Sequence, residues 1–143
     1  MTVAGDLALV VLLVCAVRTD WCERRISNNL VAWGSLAGLL IAVVQGPQAL
    51  WLALCGGLVG AALLLPFYIL RGMAAGDVKL AAMAGVFMGV PAIFYAVLGT
   101  ALAGGLMAVA WNQGRDADGC MPYAPAIGAG CAGAMGLRWC GMF

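Results

Sequence analysis

The sequence predicts an all-α protein, a polytopic membrane bundle of about six transmembrane helices forming one domain over residues 1–143. Three observations carry that prediction. Hydrophobic residues make up 65% of the chain and charged residues only 9%, where soluble domains carry roughly 25% charged residues. Mean hydropathy is +1.05, so lipid rather than water must solvate most of this surface. The few charges also cluster: none falls between Ile26 and Leu70, and none between Leu80 and Gly114. Finally, the 21 glycines include the spaced pairs Gly34/Gly38, Gly56/Gly60 and Gly85/Gly89, which put small residues on one helix face and let neighbouring backbones approach closely. With about 20 residues needed per span, the length allows six helices joined by short loops.

Each element follows from these runs. Residues 3–17 are apolar except for Asp6; a cleaved leader would want early basic residues, so this segment is expected to stay as the first span. A polar loop, Arg18-Thr19-Asp20-Trp21-Cys22-Glu23-Arg24-Arg25, leads through Ile26-Ser27-Asn28-Asn29 to a second span over 30–44. Gln45-Gly46-Pro47-Gln48 reads as an uncharged turn, and 49–70 as a third span. Residues 77–90 form a fourth apolar segment that would reach only about 20 Å, short of a hydrocarbon core of about 30 Å. Pro91 should break or restart the helix, with 92–111 as the fifth span. After a loop holding Arg115, Asp116 and Asp118, Pro122-Tyr123-Ala124-Pro125 opens a glycine-rich sixth segment.

Composition also removes function classes. A net charge of +1 gives no broad attraction to nucleic acid. There is no histidine, which removes the commonest general base and metal ligand. None of the six cysteines forms a C-x-x-C pair, and four (Cys15, Cys55, Cys131, Cys140) lie in apolar runs, where cysteine behaves as a small hydrophobe. No metal site, disulfide or cofactor is expected. Six of the seven basic residues (Arg18, Arg24, Arg25, Arg71, Lys79, Arg115) fall in alternate loops of a six-span chain. The positive-inside rule then places those loops in the cytoplasm and both termini outside, with Asp20 and Asp77 on the cytoplasmic face.

The stretch Gly72-Met73-Ala74-Ala75-Gly76-Asp77-Val78-Lys79-Leu80 sets a carboxylate and an ammonium between two long apolar runs, a placement that costs desolvation and so points to use. Asp77 could simply cap a helix beginning at Val78. Asp20 could pair with Arg24 four residues on. Alternatively the two face one another: adjacent carboxylates cannot both ionise cheaply and share a proton, so one can activate water while the other polarises a carbonyl. Of the remaining acids, Asp6 falls on the opposite side, Glu23 sits beside Arg24 and Arg25, and Asp116 and Asp118 lie in the most polar loop. Asp20 and Asp77 are the candidate dyad.

Three segments then carry a resemblance. Gly72 to Leu80, with Gly76-Asp77-Val78-Lys79-Leu80, resembles the GxGD-VKL segment of the type IV prepilin peptidases. Asp20 with Ile26-Ser27-Asn28 resembles that family's first aspartate and following I-P-N, and Pro122-Tyr123-Ala124-Pro125-Ala126-Ile127 its proline-rich start of the last helix. The resemblance implies a membrane aspartic endopeptidase of the inner membrane with Asp20 and Asp77 as its catalytic pair. Its substrate would be a prepilin or pseudopilin, a basic leader followed by a hydrophobic helix, cut at the cytoplasmic face. Ala74 stands where the first glycine of GxGD is expected, and Ser27 replaces the proline of I-P-N. The chain also lacks the insertion with two C-x-x-C pairs of the long family members. It therefore resembles the short peptidases of Flp/Tad-type pilus systems, and no N-methyltransferase activity is expected. Two readings from other classes compete: a small proton- or ion-coupled carrier using Asp20, Asp77 and Lys79, and a non-catalytic pilus-assembly partner.

Overall fold

In the computed structural model, residues 3–23, 27–70, 73–112 and 123–141 are described. They form five α-helices: α1 (Val3–Glu23), α2 (Asn28–Gln45), α3 (Pro47–Ile69), α4 (Ala75–Asn112) and α5 (Ala124–Trp139), and no strand occurs among the described residues. The expected turn at 45–48 contracts to one residue. Gly46, at φ +112°, ends α2 by donating its N–H to the carbonyl of Val43, and Pro47 starts α3 with a φ already suited to a helix.

Helix α4 organises the bundle. Its first arm, residues 75–88, is apolar on every side beyond Lys79, and Leu80, Met83, Ala84 and Phe87 are almost fully buried. A helix apolar all round belongs inside other helices, which explains why this segment is too short to suit lipid. At Gly89 the backbone leaves the helical region (φ +74°, ψ 175°), and Pro91 lies just beyond it. The chain doubles back there. Gly60 of α3 lies against both Ala81 and Ile93, residues that a straight helix would hold about 18 Å apart. The two arms of α4 therefore flank α3, and Gly89, expected as a packing glycine, packs against Gly56 and also supplies a positive φ that other residues rarely adopt.

Glycine permits the close approaches. A Cβ on Gly56 would lie 2.8 Å from the Cα of Gly89, and one on Gly85 would lie 2.6 Å from the carbonyl carbon of Gly56. On the other side, Gly34 and Gly38 of α2 receive Met83 and Phe87. Gly99 of α4 meets Gly130 of α5, where a Cβ would stand 3.0 Å from the partner's Cα. Helices α1 and α5 run antiparallel, Asp6 of α1 forming an ion pair with Arg138 of α5 at one end.

The six membrane spans expected are not shown. Among the described residues three helices, α2, α3 and α4, are long and apolar enough to cross a membrane. Helix α1 runs on past residue 17 to Glu23 and carries Asp6, Arg18, Asp20 and Glu23 within 21 residues, and α5 has only 16 residues. The fourth and fifth segments are two helical arms, as expected, but they part at Gly89 rather than at Pro91. All-α membrane architecture stands; six spans are not shown. Arg24, Arg25, Arg71, Gly72, Arg115, Asp116, Asp118, Cys120 and Pro122 lie outside the described residues.

Candidate active site

Asp20 and Asp77 are the two buried acids of the described chain, 8% and 4% exposed. Their helices explain why. Asp20 was expected in a loop but sits in the last turn of α1, which continues through the polar stretch. Its Oδ2 accepts the backbone N–H of Ala124 at 3.1 Å. Ala124 is the first residue of α5, so that N–H has no partner inside its own helix. Pro125 next to it has no N–H to offer. The carboxylate thus sits at the positive end of the α5 dipole.

Asp77 lies in the first turn of α4, two residues inside the start at Ala75. Its Oδ2 accepts the N–H of Ala74 at 3.1 Å while its own N–H donates to the carbonyl of Ala74. This is the reach-back half of a capping box. The helix begins at Ala75 rather than Val78, so Asp77 is not its N-cap; its carboxylate reaches back to the N–H of Ala74 from inside the first turn. Asp20 and Asp77 lie close enough for the charge of one to act on the other, although they come from helices separated by most of the first half of the chain. Both bonds of Ala74 to Asp77 run through its backbone, so alanine supplies them as glycine would.

The other acids fall elsewhere. Asp6 is at the far end of α1 with Arg138 and Trp139. Arg24, the alternative partner of Asp20, lies outside the described residues, as do Asp116 and Asp118. Lys79 donates from Nζ to Oδ1 of Asn28 at 2.9 Å, joining the two motifs. Ser27, at φ −64°, already holds the backbone angle that a proline would impose there. Among the described residues no three Cys, Asp or Glu side chains gather where a metal ion could be held.

An apolar furrow of about 500 Å³ opens between α3 and the second arm of α4, lined among others by Leu64, Phe67, Phe94 and Leu98. Met73 and Tyr123 also line it. These residues immediately precede Ala74 and Ala124, whose N–H groups hold Asp77 and Asp20. One wall of the furrow therefore continues into the carboxylate site. Sequence reasoning missed both the furrow and the amide of Ala124; the Pro-rich start of α5 was the available signal for the latter.

Helix bundle and site together define a membrane protein with two buried carboxylates at one end. Residues 7–109 match the type IV leader peptidase family, and the chain belongs to that family. Asp20 and Asp77 both fall in the matched region; α5 lies beyond it. Neither the curated proteins nor the solved structures compared with the chain give a match.

Proposed function

We propose that this peptidase-family protein is an aspartic endopeptidase that removes the leader of a prepilin-like substrate, with Asp20 and Asp77 as its dyad and water as nucleophile. The observation that carries the reading is the meeting of two buried carboxylates, each accepting a backbone N–H through Oδ2. Two carboxylates near one another cannot both ionise cheaply, so that chemistry needs one member as base and the other as acid. The ionised member withdraws a proton from water as it attacks the scissile carbonyl. The protonated member donates to the carbonyl oxygen, and collapse of the tetrahedral intermediate returns a proton to the leaving amine. Both acids stand at helix ends rather than mid-helix, which favours a peptidase at the membrane surface over a carrier, whose sites usually lie near the midplane.

The cation distribution supports a cytoplasmic site in the inner membrane, and so a substrate with a basic cytoplasmic leader and a hydrophobic helix. That helix would lie in the furrow with its junction at the dyad. A bond inside a helix has its carbonyl engaged in the i to i−4 ladder, so the junction must unwind, and a glycine there eases the approach. The short form favours a substrate of a Flp/Tad-type pilus. Co-expression with a prepilin-like substrate tests the reading: a leader-sized mobility shift is expected, and none with a junction glycine replaced by leucine. An unshifted substrate in the presence of the folded protein would refute it.

A further inference from the structure

Asp20 is fixed to α5 and Asp77 to the start of its own helix, but neither bond ties one carboxylate to the other. We infer that Asn28 and Lys79 form a positioning pair that sets the register of the Asp77 helix against the start of α2; the inference rests on the peptidase reading above. Lys79 follows Asp77 by two residues, and Asn28 opens α2 eight residues after Asp20. Their hydrogen bond, Nζ to Oδ1 at 2.9 Å, spans the start of α4 and the start of α2. Elsewhere these helices touch where Met83 and Phe87 rest on Gly34 and Gly38, apolar contacts without a directional bond. A directional bond at the ends resists sliding. The cation also stands near a helix N-terminus, where the dipole disfavours positive charge, so its position is explained by its partner rather than by its helix. Both side chains are exposed, so the bond adds little to overall stability; what it controls is placement, and a misplacement of about 1 Å can cost about a hundredfold in rate.

The test uses the full chain in proteoliposomes with a prepilin-like substrate. Lys79→Met and Asn28→Ala should each lower kcat about tenfold, a part of that range, with KM within about twofold, and the double variant should be no worse than either. Lys79→Arg and Asn28→Asp, which keep donor and acceptor, should restore most of kcat. A second readout needs no activity: Asp20→Cys with Asp77→Cys, in a chain whose native cysteines are replaced, treated with a short bifunctional thiol reagent. Cross-linking should drop severalfold when Lys79→Met or Asn28→Ala is added and persist with Lys79→Arg. If Lys79→Met raises KM while Asn28→Ala is neutral, Lys79 contacts substrate or lipid and the pair is refuted. Indifference of both kcat and cross-linking refutes it too. An inactive parent whose cross-linking still depends on the pair would sink the peptidase reading and leave the pair standing.

Discussion

Replacing each aspartate by asparagine and by alanine separates chemistry from architecture, because the backbone bonds of the two carboxylates differ in what a substitution removes. Asparagine keeps an acceptor oxygen. Asp77→Asn can still accept the N–H of Ala74, and Asp20→Asn that of Ala124, so stability should change by less than about 1 kcal/mol. Neither amide can exchange the shared proton, and losing general acid–base action removes about 10²–10⁴ in rate. Alanine adds a structural loss. Asp77→Ala forfeits a helix cap, about 0.5–2 kcal/mol, and Asp20→Ala strands a buried amide, about 1–3 kcal/mol. The assay pairs leader removal in reconstituted vesicles with thermal unfolding in detergent. All four variants should be nearly inactive, but only the alanine pair should unfold appreciably earlier. An asparagine variant that processes at near the parental rate refutes the dyad. One that is inactive but as unstable as its alanine counterpart would assign the carboxylate to structure alone.

Three further outcomes follow. A Cβ at Gly85 would press on the backbone of Gly56, whereas one at Gly133 meets nothing within 4 Å; Gly85→Ala should destabilise by about 1–3 kcal/mol and Gly133→Ala stabilise by about 0.5–1 kcal/mol, read by thermal unfolding. Gly105 lines the furrow, and a Cβ there also meets nothing within 4 Å, so Gly105→Phe should fold normally yet raise KM severalfold for a substrate bearing its hydrophobic helix; an unchanged KM would place that helix elsewhere. In chains retaining a single cysteine, an impermeant thiol reagent on intact cells should label Cys140 and spare Cys22, both of which are exposed; the reverse pattern would invert the orientation.

The helical class was legible because uncharged apolar runs leave few alternatives, and Asp20 and Asp77 stood out as candidates because so few acids compete for the role. Spacing alone could not say that Asp20 and Asp77 lie near enough for one charge to act on the other; only the motifs named them together. The span count was not legible. Hydropathy reports length and polarity, but whether 77–90 faces lipid or protein depends on glycine contacts with α3 and α2 that no local pattern contains. Pro91 marked the break in α4 two residues late because the bend needs a positive φ, which glycine supplies and proline cannot. The hold of Ala124 on Asp20 was hidden for a similar reason: a backbone N–H belongs to every residue but proline, and only the fold says which one is left over.

The glycine contacts described above divide the bundle by stiffness. Helices α3, α4 and α5 touch backbone to backbone at Gly56, Gly85, Gly99 and Gly130, and close-packed main chains have no side-chain rotamers through which to give. Helix α1 is joined to α5 by polar bonds near its two ends, from Asp6 and Asp20, with ordinary side-chain packing between. The two carboxylates thus ride on parts of unequal rigidity: Asp77 on the block, Asp20 on the strut. Warming should loosen the strut first. Such a molecule loses its activity before it loses its helices, and heat inactivation measured by leader removal should precede the fall in helical circular dichroism.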